Sequence, residues 1–457
     1  LREAERRVVV YLPYGGGTKE CFVAFAGTEL LLGPQATLSP IGFAITTPYV
    51  RKALAKAGVV PEVLARGRYK SAGESLMRDT MSEPQREQLE ALVEGFYRAF
   101  VEALAAGRRT DETKARELVD RAPYMGAEAV SAGLADGAVY DDGLLERLSP
   151  TGAKGFVPAA RYLRRRALGV GSLRKAGVIG VVHVHGAIVQ SGGAPWMTTT
   201  DDRVMSAIRR AREDKRVLGV ILHIDSPGGS ALASDRMHHE LVRLAKEKPL
   251  VACMANVAAS GGYYVAVAAH TIVAQPTTIT GSIGVVAARL VLEPLLERLG
   301  VSTEVVKRGA HADLMMPTRP LTSEEREVLQ RELEGVYRAF VGVVAEGRKR
   351  TFEEIDALAQ GRVWSGADAH ARGLVDELGG FDTALDLVRA RIGKAGGSAE
   401  PVVIRPSRRS VSREEHDLGR VAAAFGWLAG ESKALQALSF ARSRERVLMW
   451  ANLGALD

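Results

Sequence analysis

The chain has 457 residues, of which 46% are hydrophobic and 25% charged, and carries a formal net charge of +7. That length exceeds one ordinary core, so two or three domains are expected, and the balance is that of a globular α/β protein, not a disordered or fibrous one. The positive charge is spread along the chain with no nucleic-acid motif, so no nucleic-acid partner is expected. A mildly basic surface would suit an anionic membrane.

Cys21 and Cys253 lie far apart in apolar runs and read as small buried hydrophobes, which excludes a disulfide framework and zinc-ligand spacing. His183 and His185 alternate along a predicted strand and could face one metal. Nothing supplies further ligands at matched spacing, so neither metal nor cofactor is expected. The chain opens at Leu1 without a signal peptide pattern. Residues 250–275 carry no formal charge, yet Asn256, Ser260, Gly261, Gly262 and His270 interrupt them. A strand–turn–helix rhythm there fits a doubly covered parallel strand better than a membrane span.

In chain order, the first long amphipathic segment contains Arg86-Glu-Gln-Leu-Glu-Ala-Leu-Val-Glu-Gly-Phe-Tyr-Arg-Ala-Phe100. It matches the segment from Arg326 to Phe340 at nine of fifteen positions with a constant offset of 240 residues. The register continues from Gly126, Gly133 and Asp136 to Gly366, Gly373 and Asp376, and upstream the offset becomes 242, pairing Gly42 with Gly284. A period this long indicates a duplicated domain. The second copy begins near Val178, so the counterpart of its opening section would lie before Leu1. The first copy, residues 1–150, is therefore expected to be incomplete, either because the sequence is a fragment or because the first domain is reduced, and a membrane anchor could have been lost with that section. Residues 151–176 read as a basic linker.

The second copy, residues 177–395, reads as strand 178–185, helix 201–213, strand 217–224, a glycine turn, helix 231–247 and strand 250–254. Apolar strands alternating with amphipathic helices imply a parallel sheet with right-handed crossovers. Residues 396–457 read as a helical tail placing Phe425, Trp427, Leu428, Leu435, Leu438, Phe440, Leu448 and Trp450 among arginines. Such a tail would lie on a membrane or on a neighbouring subunit.

The chemistry centres on Ala-Ala-Ser-Gly-Gly at 258–262. An apolar strand stops, the backbone turns through small residues, and a helix starts at or just after Ser260. This exposes one hydroxyl beside helix N-terminal amides, which is what a nucleophilic serine needs. A partner base is required. His270, ten residues on, would sit roughly 15 Å away along a helix, too far. A lysine can serve, as in Ser–Lys hydrolases. With an ordinary pKa near 10.4, roughly one lysine in 2,500 is neutral at pH 7. Desolvation must lower that value by about three units, at roughly 4 kcal/mol, so the lysine belongs in a closed apolar seam.

Three motifs then agree in order and spacing: Ser-Pro-Gly-Gly at 226–229, Ala-Ala-Ser-Gly-Gly-Tyr-Tyr at 258–264, and Thr-Gly-Ser-Ile-Gly at 280–284. Together with the partial first copy, residues 8–390 resemble the signal peptide peptidase A (protease IV) family, within the Clp protease/crotonase superfamily. In single-copy relatives the base is a lysine following Thr-Gly-Ser-Ile-Gly, but Ala312 stands there in this chain. The duplicated long form takes its lysine from the first copy, in a Tyr-Lys-Ser motif, which makes Lys70 the match. The first-copy counterpart of Ser260 is Thr18, so each copy keeps one half of a dyad. The resemblance implies Ser260 as nucleophile, Lys70 as general base, Ser282 as the hydroxyl that orients the lysine, and the Gly229 and Gly261 amides as oxyanion hole. Asp225 is expected to be structural.

The implied activity is a membrane-associated serine endopeptidase cleaving remnant signal peptides and other hydrophobic peptides. A bowl-shaped homotetramer is implied with it, with catalytic domains on the periplasmic side of a bacterial cytoplasmic membrane. Three rivals carry different requirements. A crotonase-type acyl-CoA enzyme would need catalytic carboxylates near the glycine loops. A Clp-like Ser–His–Asp hydrolase would need a well-placed histidine. A non-catalytic membrane scaffold would not need both Lys70 and Ser260.

Overall fold

A computed structural model of the chain describes residues 6–148, 157–162, 177–190, 197–397, 399–406, 448–450 and 455–456. Most of the linker expected at 151–176 and the tail residues Phe425, Trp427, Leu428, Leu435, Leu438 and Phe440 lie outside the described residues. The chain divides into two compact units. The first comprises Leu1–Ile45, Val93–Arg174 and Leu456–Asp457, and the second Thr46–Leu92 and Lys175–Ala455.

In the first unit, Val9–Leu12, Glu29–Leu32 and Gly137–Ala138 form a parallel three-stranded sheet. Leu30, Leu32, Phe100, Leu104, Leu118 and Tyr124 are buried around it. Phe100 and Leu104 on the helix Glu83–Arg108, and Leu118 on the helix Glu112–Asp120, share the buried face of their helices because apolar residues fall there at helical spacing.

In the second unit, the main sheet runs Val363–Ser365, Ile279–Gly281, Leu250–Ala259, Val217–Ser226, Val178–His185, Glu400–Val403, with Thr271–Ala274 beside Leu250–Ala259. Its central pairings are parallel. One face buries Val182, Val184, Leu222, Ile224, Ala252 and Met254. The other buries Ile179, Ile221, Val251 and Cys253 under the helix Phe381–Ile392. Coverage on both faces explains why the uncharged run at 250–275 belongs to a core strand and the short helix Gly261–Ala266. Among the described residues, no helix is long and apolar enough to cross a membrane.

Two strands run further than the sequence suggests. The strand expected to end at 224 continues to Ser226, and the one expected to end at Met254 continues to Ala259. A register shift between Ile224 and Ser226 lets Ser226 pair with Ala258, while Val257–Ala259 gain a second partner in Ile279–Gly281. Backbone pairing on both sides holds the small, weakly strand-forming residues there extended. Within the stretch read as a helical tail, Glu400–Val403 is a strand that pairs parallel with Val178–Val181. Leu448–Trp450 is also a strand. Valine-rich Pro401-Val-Val-Ile404 suits a sheet edge, and the Ile404 N–H continues the pairing onto the Val181 carbonyl at 2.9 Å.

The duplication is visible as repeated bonds. In the first unit, Arg108 donates to the Gly133 carbonyl at 2.9 Å and Asp136 accepts the Leu30 N–H at 2.7 Å. In the second, Arg348 donates to the Gly373 carbonyl at 3.0 Å and Asp376 accepts the Ile272 N–H at 2.7 Å. Each arginine ends a 26-residue helix and pairs with its aspartate, so each clamp ties helix, loop and strand together. Replacing Asp376 by Ala strands the largely buried guanidinium and should cost about 2 kcal/mol of unfolding free energy, read by urea denaturation; a change within about 0.5 kcal/mol of wild type, on the scale of a neutral surface substitution, would dismiss the clamp.

Candidate active site

Ser260 joins the strand Leu250–Ala259 to the helix Gly261–Ala266. Its backbone lies at φ 55°, ψ −115°, a region that costs a non-glycine residue on the order of 1–3 kcal/mol. The turn holds because neighbours fix it from both sides. The Ser260 N–H donates to the Gly281 carbonyl at 2.8 Å, and the Ser260 carbonyl accepts the Tyr264 N–H at 2.9 Å. The first of these bonds brings the Gly281-Ser282 turn directly alongside the nucleophile candidate.

Lys70 reaches the same point from a different stretch of chain. The strand Val60–Arg66 pairs antiparallel with Val285–Val291, with Arg66 opposite Val285. Continuing past Gly67, the chain therefore arrives beside Ser282. The Lys70 Nζ lies 2.9 Å from Ser260 Oγ, 3.0 Å from the Ser282 carbonyl oxygen and 3.0 Å from Ser282 Oγ. Lys70 is 5% exposed and Ser260 fully buried. Burial pushes the amine well below the ordinary lysine range because the ammonium loses its hydration, and among the described residues no hydrogen-bonded carboxylate offsets that loss.

Gly361, which the sequence reading missed, shapes the floor of this site. It sits at φ +77°, and a methyl group there would come within 2.6 Å of both the Lys70 Cβ and the Lys70 nitrogen. The Tyr69 N–H donates to the neighbouring Gln360 carbonyl at 2.7 Å, and the Ser282 N–H to the Arg362 carbonyl at 2.7 Å. Residues 360–362 thus form a shelf for both Lys70 and Ser282. A signal did exist: at the repeat offset the first copy has Arg121 where the second has Gly361.

Gly228 and Gly229 have φ of +99° and +154°, and a methyl on Gly229 would lie 2.0 Å from the Ile188 carbonyl oxygen. Glycine is needed there for close backbone approach. A methyl on Gly261 would lie 3.2 Å from the Gly229 nitrogen, so the two backbones run side by side next to Ser260. Gly228–Ser230 also pairs antiparallel with Leu448–Trp450, which in turn pairs with Val286. The edge beside Gly229 therefore accepts an extended backbone.

The remaining candidates fall elsewhere. His270 ends up at the opposite end of the Ser260 strand, its N–H on the Leu250 carbonyl, about 30 Å from Ser260 by strand rise. Ten residues of helix do not follow Ser260, as the helix ends at Ala266. Asp225 accepts the Val257 N–H at 3.2 Å and the Asn256 amide at 3.1 Å, bracing the two strands that lead to Ser226 and Ser260. Ala312 is exposed. In the first unit, Thr18 opens the helix Thr18–Ala24 and donates to the Gly42 carbonyl at 3.1 Å. His183 and His223 stack edge to face, and no group of three or more metal-binding side chains is found among the described residues.

A profile described as Peptidase family S49 matches residues 1–152 and 242–393. The chain belongs to that family. Its relatives include "Serine protease SPPA, chloroplastic" of Arabidopsis thaliana, 34% identical over 82% of this chain and 57% of that protein. "Protease 4" of Salmonella typhi is 34% identical over 80% of this chain and 60% of its own. The chain thus spans less than two thirds of the length of these relatives. Among solved structures, a ClpP1 mutant from Listeria monocytogenes aligns with 45% of this chain and 93% of its own at 15% identity and a TM-score of 0.30. The two S49 segments fall on the two copies of the repeat.

A buried lysine with a depressed pKa carries a stability signature. Its folded form gives up the proton at lower pH than its unfolded form, so its contribution to stability grows as pH rises between the two values and is complete above the unfolded lysine value. Lys70→Met should therefore be more stable than wild type at neutral pH, with the gain shrinking as pH climbs towards about 10. Thermal melts across that range test this; a pH-independent difference would show that Lys70 is charged in the fold.

Proposed function

We propose that this chain is a serine endopeptidase in which Ser260 and Lys70 form the catalytic dyad. The observation carrying the reading is the buried Lys70 amine within 2.9–3.0 Å of Ser260 Oγ and both Ser282 oxygens. A neutral amine has two N–H groups and one lone pair. Donating to the two Ser282 oxygens aims the lone pair at the Ser260 hydroxyl, which gives Ser282 its orienting role.

Ser260 Oγ attacks the scissile carbonyl as its proton passes to Lys70 Nζ. The carbonyl oxygen, now an oxyanion, is held by the Gly229 and Gly261 N–H groups. Collapse of the tetrahedral species breaks the C–N bond, and the Lys70 ammonium protonates the departing amine. Neutral again, Lys70 takes a proton from water, whose hydroxide attacks the acyl-enzyme; collapse breaks the C–Oγ bond, and Lys70 returns the proton to Ser260 Oγ, restoring the neutral amine.

The substrate class we propose is extended hydrophobic peptide, including cleaved signal peptides, processed at a membrane by a homo-oligomer, a tetramer by family resemblance. Backbone pairing along Gly228–Ser230 supports an extended substrate, since strand addition binds main chain before side chain. A substrate entering that edge takes the place of Leu448–Trp450. A chain ending at residue 447 should show a KM reduced about threefold or more, a gain of roughly 0.7 kcal/mol, on an unstructured apolar peptide; an unchanged or higher KM would place the substrate elsewhere.

Ser260→Ala should abolish peptide cleavage with circular dichroism unchanged, and Lys70→Ala should lower kcat/KM by roughly 10²–10⁴-fold. In wild type, kcat/KM should rise with pH through a single ionisation below the ordinary lysine range, and that limb should vanish in Lys70→Ala. Full activity of either variant sinks the dyad, and a wild type that cleaves no peptide favours a scaffold.

A further inference from the structure

We infer that Gln88 is a positioning residue for the Lys70 amine, a role that rests on the Ser260–Lys70 reading above. Gln88 lies in the second turn of the helix Glu83–Arg108 and is 3% exposed. Its Nε2 donates to the Tyr69 carbonyl at 3.1 Å and to Ser71 Oγ at 3.0 Å, while its Oε1 accepts the Val363 N–H at 3.2 Å. One amide thus grips the residues on both sides of Lys70 and ties them to the strand Val363–Ser365. That strand pairs with Ile279–Gly281, and the residue before it, Arg362, holds the Ser282 N–H.

The backbone of the Lys70 loop is tied down sparsely. Among the described residues the Lys70 N–H bonds back to Gly67 and the Ser71 N–H to Tyr69, both local turns, while the Tyr69 N–H crosses to the shelf at Gln360; the Tyr69 side chain adds an outer anchor, its hydroxyl donating to Glu87 at 2.9 Å and its ring lying under the Arg362 guanidinium. A desolvated amine gains free energy by swinging out to water and taking up a proton. The loop must resist that, and the amide supplies two further bonds to it and a third that anchors the amide itself on Val363. Burying a glutamine in place of an apolar residue is neutral at best unless every polar atom is satisfied. Here each side-chain heteroatom has a partner.

The duplication supplies an independent argument. At the 240-residue offset, Gln88 corresponds to Val328, and at the 242-residue offset Lys70 corresponds to Ala312. The copy that carries the amine carries the amide, while the copy with alanine fills the equivalent helix position with a partly buried valine packed on the core.

Gln88→Leu keeps side-chain volume and removes all three bonds. Its kcat should fall at least about tenfold with KM within about twofold. The acidic limb of kcat/KM should move up by about half a pH unit or more as the loosened amine meets water. A purely structural role would lower the melting temperature and the fraction of enzyme labelled by a serine-directed phosphonate, and would leave the limb where it is. An unmoved limb in folded Gln88→Leu overturns the inference. Should that variant not fold, Ser71→Ala removes one acceptor and is read the same way: a smaller upward shift supports the role, and no shift overturns it. Full activity of Lys70→Ala would instead overturn the dyad itself, so the two failures are distinguishable.

Discussion

An amine held out of water with only neutral oxygens around it is the constraint from which the second unit's architecture follows. Lys70 is 5% exposed and meets two serine hydroxyls and one carbonyl. With no facing carboxylate among the described residues, burial favours the uncharged form, and an uncharged amine can accept a proton. The cost falls on the rest of the fold. A strained Ser260 turn, a left-handed Ser282 at φ 52° and a shelf that excludes any side chain at Gly361 are all kept so that three polar groups converge in a closed space. Strain of this kind persists only where surrounding structure over-determines it, and here paired strands on both sides do so.

The duplication explains how such a site arises from two copies of one domain. Both copies preserve the helix-ending arginine, the aspartate it grips and the strand N–H that the aspartate accepts. Those contacts maintain the scaffold and recur. The chemistry-bearing positions diverge: Thr18 against Ser260, Lys70 against Ala312, Arg121 against Gly361. The segment Thr46–Leu92 belongs to the same compact unit as Ser260, although by repeat alignment it is first-copy sequence. Lys70 therefore meets Ser260 inside one packed unit, with no boundary between units to cross.

Much of this was legible in the residues, and what was not has specific causes. Strand and helix periodicity located the elements around Ser260, and the glycine pairs marked the turns, because those signals are local. The ends of the strands at Ser226 and Ala259 were not legible, since small residues there are held extended by a register shift and a neighbouring strand. His270 is remote from Ser260, as its spacing implies, but by a different route from a continuous helix: the helix after Ser260 is short, and the chain doubles back to the far end of the sheet. Gly361 and Gln88 carried no motif, because their roles depend on what another segment places against them.

The sequence by itself determined that two related α/β copies exist, that one serine stands at a strand-to-helix turn, and that one copy retains a lysine while the other retains the serine. These are properties of spacing and residue type, fixed along the chain. Only the tertiary structure decided that the lysine is dry, which oxygens surround it, and which backbone shelf and side-chain amide hold its loop. Desolvation and convergence belong to no single segment; they come into being when strands from residues 60–66, 250–259 and 285–291 are brought together.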